Sequence, residues 1–190
     1  MTEFLRMGLD EEGGRKEYSI RLLQKFGKTD PYLTPQKVQE LWIEYSKHDT
    51  LFSDYTRGRV EPFLDILLAP NAIVAEIYSM DEEAPLGSMM LTRVLVDFDA
   101  LAHFTLWNGR ARGKEPLFLE MMRMWMDEFR LHRLSVEATG LSKGLLRMIE
   151  RLGFYHEGTR REGSIHRETW VDLEMYGILR SELQDKLQEA

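Results

Sequence analysis

The chain contains no cysteine, which excludes disulfides, thiolate metal ligands and cysteine nucleophiles, and fits a reducing compartment. No apolar run approaches the ~20 residues that a membrane-spanning helix needs. The first residues, Met1-Thr2-Glu3-Phe4-Leu5-Arg6-Met7, lack the basic stretch and long apolar core of a secretory leader, so a cytoplasmic location and no membrane partner are expected. Positive charge is not in excess: the formal net charge is -7 and the pI is near 5.3, which argues against nucleic acid as a partner of the whole surface. The five histidines, His48, His103, His132, His156 and His166, have no metal-ligand spacing, so no metal is expected. No nucleophile elbow and no Walker loop occurs.

What is present is an ordinary globular composition, 43% apolar and 30% charged, over 190 residues, enough for one domain with a sizeable core. Residues 1–30 are the least informative and read as an N-terminal extension ahead of a domain over 31–190. Within them Tyr18 to Phe26 fits a helix or a strand equally well. Thr34-Pro35 opens a helix carrying Val38, Leu41, Trp42 and Tyr45 at helical spacing, because Thr caps free N–H groups and Pro suits the first position. A second helix over Glu61 to Leu68 stops at Ala69-Pro70-Asn71. Three strands follow, Ala72 to Tyr78, Leu86 to Val94 and Ala100 to Trp107, and suggest an antiparallel meander. A helix over Pro116 to Phe129 turns Leu117, Phe118, Met121, Met122, Trp125 and Phe129 inward, a stripe read as core. Then come a strand at Leu134 to Ala138, a helix over Ser142 to Leu152 with Gly153 as its left-handed cap, two strands from Phe154 and over Glu168 to Tyr176, and a polar terminal helix. The order predicts an α/β (α+β) fold: a mixed sheet of six to seven strands with helices on both faces.

Two segments carry a family resemblance. Arg110-Ala111-Arg112-Gly113-Lys114-Glu115, between a strand and a helix, resembles the diphosphate-binding loop of the GNAT N-acetyltransferases. The run from Arg133 to Ala138, the helix from Ser142 to Leu152, and Gly153-Phe154-Tyr155-His156-Glu157-Gly158 resemble the closing half of the members that modify ribosomal-protein and other N-termini. Trp170 to Tyr176 resembles their last strand. The resemblance covers about Asn71 to Arg180. It implies a GNAT fold, acetyl-CoA as co-substrate, and a primary amine as acceptor: a protein N-terminus, a lysine or a small amine. It also leaves open a homodimer through the last strands.

It assigns residues too. Backbone groups near Leu106 and Trp107 would meet the pantetheine arm, and Arg110, Ala111, Arg112, Gly113 and Lys114 the phosphates. Ser142 matches a position that often contacts the cofactor, although capping its helix explains it as well. His103 lies on the strand that often carries a base, with Glu76 and Glu137 as weaker candidates. The loop departs from the pattern at Glu115 and Pro116. A carboxylate about 4 Å from a phosphate costs about 4 kcal/mol at an effective dielectric of about 20. A carboxylate at a helix N-terminus is itself favourable, so Glu115 is a candidate for the place phosphate takes in active relatives. The positions where relatives keep a proton-donating Tyr and a Ser are here Ile149 and Leu145, which leaves Tyr155 and Tyr176 as substitutes. The alternative to an enzyme is therefore a catalytically inactive binding or structural module of the same fold. Arg160, Arg161 and Arg167, in a segment expected to form the loop between the last two strands, favour an acidic acceptor or partner if they are more than a solvated tip.

Overall fold

The computed structural model describes residues 4–11, 14–29, 33–47, 59–79, 84–107 and 113–189. Boundary chemistry sets the helices. The Thr34 hydroxyl accepts the Lys37 N–H at 3.2 Å and Pro35 fills the first turn of Pro35–Ser46 (α1). Val60–Leu67 (α2) ends just before Ala69-Pro70. Glu115–Glu128 (α3) begins with Pro116 in its first turn. Lys143–Arg151 (α4) is capped by Ser142, whose hydroxyl accepts the Leu145 N–H at 3.3 Å, and it closes at Gly153 with φ +90°. Arg180–Glu189 (α5) follows directly from the last strand.

The strands are Phe4–Glu11 (β1), Gly14–Lys25 (β2), Lys28–Thr29 (β3), Ile73–Ser79 (β4), Pro85–Leu95 (β5), Asp99–Leu106 (β6), Arg133–Thr139 (β7), Tyr155–His166 (β8) and Thr169–Leu179 (β9). They form one sheet in the order β1-β2-β4-β5-β6-β7-β9-β8, with β3 paired to β2. Among the described residues β6 and β7 pair in parallel and all other neighbours are antiparallel. The sheet is mixed, as expected, and wider than six to seven strands because residues 4–29 supply three of its nine. The segment that fitted helix or strand equally is a strand: Tyr18 and Ile20 alternate into the core and pair across to Ser79 and Ile77 of β4.

One expectation is corrected. The segment Gly158 to Arg167 is not a long loop. Residues up to His166 belong to β8, and the turn is the two-residue pair Arg167-Glu168, both at positive φ (47° and 66°), the handedness that matches strand twist in tight hairpins.

Helices cover both faces. α3, α4 and α5 bury Phe118, Met121, Trp125, Ile149, Leu152 and Leu183 against Ala75, Met89, Ala102, Leu134 and Ile178. α1 and α2 bury Leu41, Tyr45, Phe63 and Leu67 against Leu23, Val74 and Met90 on the other face. The Met and aromatic stripe of α3 is core. Gly87 lets β5 and β6 approach closely beside the site described next: a Cβ there would lie 2.0 Å from the Thr105 carbonyl oxygen.

Candidate active site

The parallel pairing of β6 and β7 ends at Leu101↔Ser135, yet β6 continues to Leu106 and β7 to Thr139. The two strands therefore diverge, and each leaves backbone groups facing a gap rather than a neighbour. The Trp107 N–H donates to the Leu86 carbonyl at 2.7 Å, so that position turns towards β5. By the alternation of an antiparallel ladder, Phe104 and Leu106 turn their backbone groups to the gap. Of the two backbone positions expected to face a ligand, Leu106 turns to the gap, as Phe104 does, and the Trp107 N–H is used within the sheet.

The gap leads into a slot of about 50 Å³ lined by Ala102, His103 and Phe104 on β6, Val136 and Glu137 on β7, and Leu145 and Ile149 on α4. Thr105 and Thr139, each four residues beyond the last paired position, stand on its two arms. Both are buried, and neither hydroxyl has a well-formed hydrogen bond. Thr105 lies against the Tyr45 phenol, which itself bonds Ser88. Buried polar atoms left open in this way mark a place where a ligand or water completes the hydrogen bonding.

Beyond the slot lies the N-terminus of α3. Arg110, Ala111 and Arg112 lie outside the described residues. Gly113 has φ +79° with open space around it. The Lys114 ammonium turns to β2, donating to the Tyr18 hydroxyl at 3.1 Å and lying 5.6 Å from the centre of its ring. Glu115 folds back on the helix start. Partial burial pushes its carboxyl up, but hydrogen bonds from its own N–H, from Arg151 and from the Gly113 N–H outweigh that and hold it below the usual carboxylate range. The Arg151 Nε–H, from α4, donates to Glu115 at 3.0 Å. Pro116 offers no N–H. The Glu115 carboxylate thus sits in the first turn of its own helix, paired with Arg151. Arg151 was missed from sequence, since nothing local couples it to a residue 36 positions away.

On the α1/α2 face, Arg21, Glu76, Ser88 and Thr105 are successive register partners across β2, β4, β5 and β6. Glu76 is 1% exposed and accepts Lys37 Nζ at 3.0 Å and the Tyr78 hydroxyl at 2.6 Å; Arg21 donates to that hydroxyl at 3.1 Å. Burial pushes Tyr45 up to about 12. His103 shares this face, its Nε2 3.0 Å from the Thr92 hydroxyl. Burial, aided by Arg93 and opposed by Glu137, lowers His103 to about 4, so its imidazole is neutral near pH 7. Glu137 is held by Arg93 at 2.8 Å and Arg160 at 3.5 Å. The two weaker base candidates therefore already carry cationic partners.

Among the described residues of the slot, the two positions named above for a proton donor, Ile149 and Leu145, carry aliphatic side chains and offer no proton. Tyr155 is 64% exposed, and Tyr176 is buried beside His156, ring centres 5.1 Å apart. Among the described residues no group of three or more acidic or histidine side chains could hold a metal, and no helix is long and apolar enough to cross a membrane.

No protein-family model and no curated protein matches the sequence. Solved structures do match. Spermidine N-acetyltransferase from Vibrio cholerae, in complex with CoA and spermine, superposes with a TM-score of 0.67 at 11% identity, over 88% of this chain and 98% of that one. Ribosomal-protein-S5-alanine acetyltransferase from Vibrio fischeri gives 0.60 at 11%, over 91% and 96%. The ribosomal L7/L12 α-N-protein acetyltransferase in complex with coenzyme A gives 0.62 at 16%, over 84% and 93%. The chain has the GNAT fold.

Proposed function

We propose that the chain is an N-acetyltransferase that moves the acetyl group of acetyl-CoA to a primary amine. The observation that carries this reading is the divergence of β6 from β7 beside the start of α3, in a fold whose matched neighbours include enzymes solved with coenzyme A. The slot fits a pantetheine arm in kind: apolar walls, and outward-facing backbone groups at Phe104 and Leu106 beside it. Gly113 and the residues before it, Arg110, Ala111 and Arg112, would meet the phosphates, with Lys114 able to join them only by leaving Tyr18. Ser142 serves as a helix cap. A cytoplasmic setting belongs to the same reading.

In the reaction the amine nitrogen bonds to the thioester carbonyl carbon, the C–S bond breaks, the amine gives up a proton, and the thiolate leaves and is protonated. Free ammonium is too weak an acid to protonate an imidazole of pKa about 4. His103 therefore acts on the adduct, where the bound nitrogen has become far more acidic, and not on the free ammonium. With Ile149 and Leu145 at the donor positions, the thiolate takes its proton from water, which a thiol pKa of about 8.5 allows. Isothermal titration with acetyl-CoA, followed by an amine panel, tests the reading; no binding at millimolar ligand sinks it.

A second reading, an inactive module of the same fold, is favoured by the absent proton donor and by Glu115. It predicts no turnover with any amine. Turnover that disappears in a folded His103→Ala variant overturns it.

A further inference from the structure

Two buried polar atoms stand at the end of β6, on the α1/α2 face and beside the gap. The Trp107 Nε1 and the Thr105 hydroxyl are both buried without a well-formed hydrogen bond. Thr105 is 3% exposed and lies in register with Ser88; the Tyr45 phenol lies against it but bonds Ser88. Trp107 is held from two sides. Its backbone N–H donates to the Leu86 carbonyl at 2.7 Å, and its ring meets the Tyr45 ring edge-on, centres 6.5 Å apart. Its indole therefore packs with Leu41, Tyr45 and Phe63, on the face away from α4 and the slot. An indole nitrogen can only donate, and a hydroxyl can donate as well. A buried donor without an acceptor is costly, so these two atoms suit an acceptor atom supplied from outside the protein.

Their position suggests which one. Phe104 and Leu106 turn backbone groups to the gap, and the side chains of Thr105 and Trp107 stand beside them on the α1/α2 face. An amine that attacks a thioester in the gap, without displacing an arm held on the α4 side, approaches from the α1/α2 face and passes these donors. We infer that Trp107 and Thr105 form a subsite for a carbonyl oxygen beside the reacting amine, so that the acceptor is an α-amino amide, the chemistry of a peptide N-terminus, and not a simple alkyl amine. This rests on the N-acetyltransferase reading above. In an α-amino amide the oxygen is tied to the nitrogen through only the α-carbon and the carbonyl carbon, so fixing one fixes the other. A lysine ε-amine carries its nearest carbonyl much further away, and an alkyl amine has none. Glu76, a buried carboxylate, lies in the same row beyond Ser88, which favours a neutral oxygen over a second anion.

The test measures kcat and KM, with acetyl-CoA, for a tripeptide amide with a free N-terminus and for butylamine. The wild-type chain is compared with Trp107→Phe, which keeps an aromatic ring without the N–H, and Thr105→Val, which keeps the shape without the hydroxyl. The expected result is kcat/KM for the peptide about tenfold lower in each variant, the size of one hydrogen bond to a neutral group, with butylamine and the KM of acetyl-CoA within about twofold. Thermal unfolding checks that both variants are folded. Thr105→Val is expected to unfold at no lower temperature than wild type; a clear drop shows a bond within the protein and overturns the part given to Thr105. Equal loss on both amines overturns the subsite, because the donors then serve the thioester or the fold. An unchanged peptide rate overturns it too, leaving buried water as the partner, as does a wild-type chain that acetylates butylamine but not the peptide. In each of these cases the acetyltransferase reading stands. No turnover of either amine overturns that reading and the subsite with it.

Discussion

On the face covered by α3, α4 and α5, the sheet meets Phe118, Met121, Met122, Trp125 and Leu152, and apolar packing fills the layer between them, with polar ties such as Lys25–Glu128 at its edge. On the face covered by α1 and α2, a much smaller apolar cluster around Phe63 and Leu67 adjoins a buried polar row: Glu76, the one buried carboxylate among the described residues, with Ser88, Thr105 and Tyr45. The apolar face resists loss of volume. The polar row resists loss of a partner, because a buried charge stripped of its counter-ion keeps its desolvation cost. The slot lies where the two regimes meet, with Ile149 from the first and His103 from the second.

Four measurements break or sharpen the contrast, in falling order of effect. Phe118→Ala, on the apolar face, opens a cavity under β6 and costs about 3–5 kcal/mol by denaturant unfolding; a loss under 1 kcal/mol would show that this face is not close-packed. Glu76→Gln removes the anion that Lys37 and Tyr78 hold and costs about 2 kcal/mol, less than a fully buried pair would because Lys37 is 18% exposed. Glu76→Leu with Lys37→Met recovers part of that loss, since no charge is then stranded; a double variant weaker than Glu76→Gln contradicts the account.

The third measurement concerns pH. Unfolded His103 protonates near 6.5 and the folded residue only near 4, so over that interval the unfolded chain binds the extra proton. His103 therefore lowers stability as the pH falls from 6.5 towards 4, and its effect levels off below. His103→Gln flattens that part of the stability profile. The same displacement predicts that kcat/KM shows no inflection near 6.5 from this residue. The smallest effect is Ser142→Ala: about 1 kcal/mol of stability from the lost cap, with coenzyme A affinity unchanged within twofold. An affinity loss of tenfold would return Ser142 to the cofactor site.

Much of the second half was legible because its signals are local. Ser142 and Gly153 bound α4, the Met and aromatic spacing sets the inner face of α3, and the alternation over Leu134 to Ala138 marks β7. The first 30 residues were not legible, since the strand that begins the segment Tyr18 to Phe26 joins the main sheet through β4, about 50 to 60 residues later. The hairpin β8–β9 was misjudged because its turn uses Arg167 and Glu168 in place of the Gly or Asn that usually announce positive φ. The site divided in the same way. His103 on its strand and Glu115 at its helix start were readable as candidates. The depressed basicity of His103, the turn of Lys114 towards Tyr18 and the reach of Arg151 to Glu115 were not.

The sequence by itself determined the order of elements after residue 33, the helix caps, the core stripe of α3 and the absence of a proton donor at Ile149 and Leu145, because each depends on neighbours a few residues away. Only the tertiary structure decided where β6 and β7 part, which side chains line the slot between them, and which charges hold Glu76, Glu137 and Glu115. Those depend on side chains brought together from distant segments, and the strength of a charge interaction is set by burial and by its partner, neither of which a linear pattern encodes.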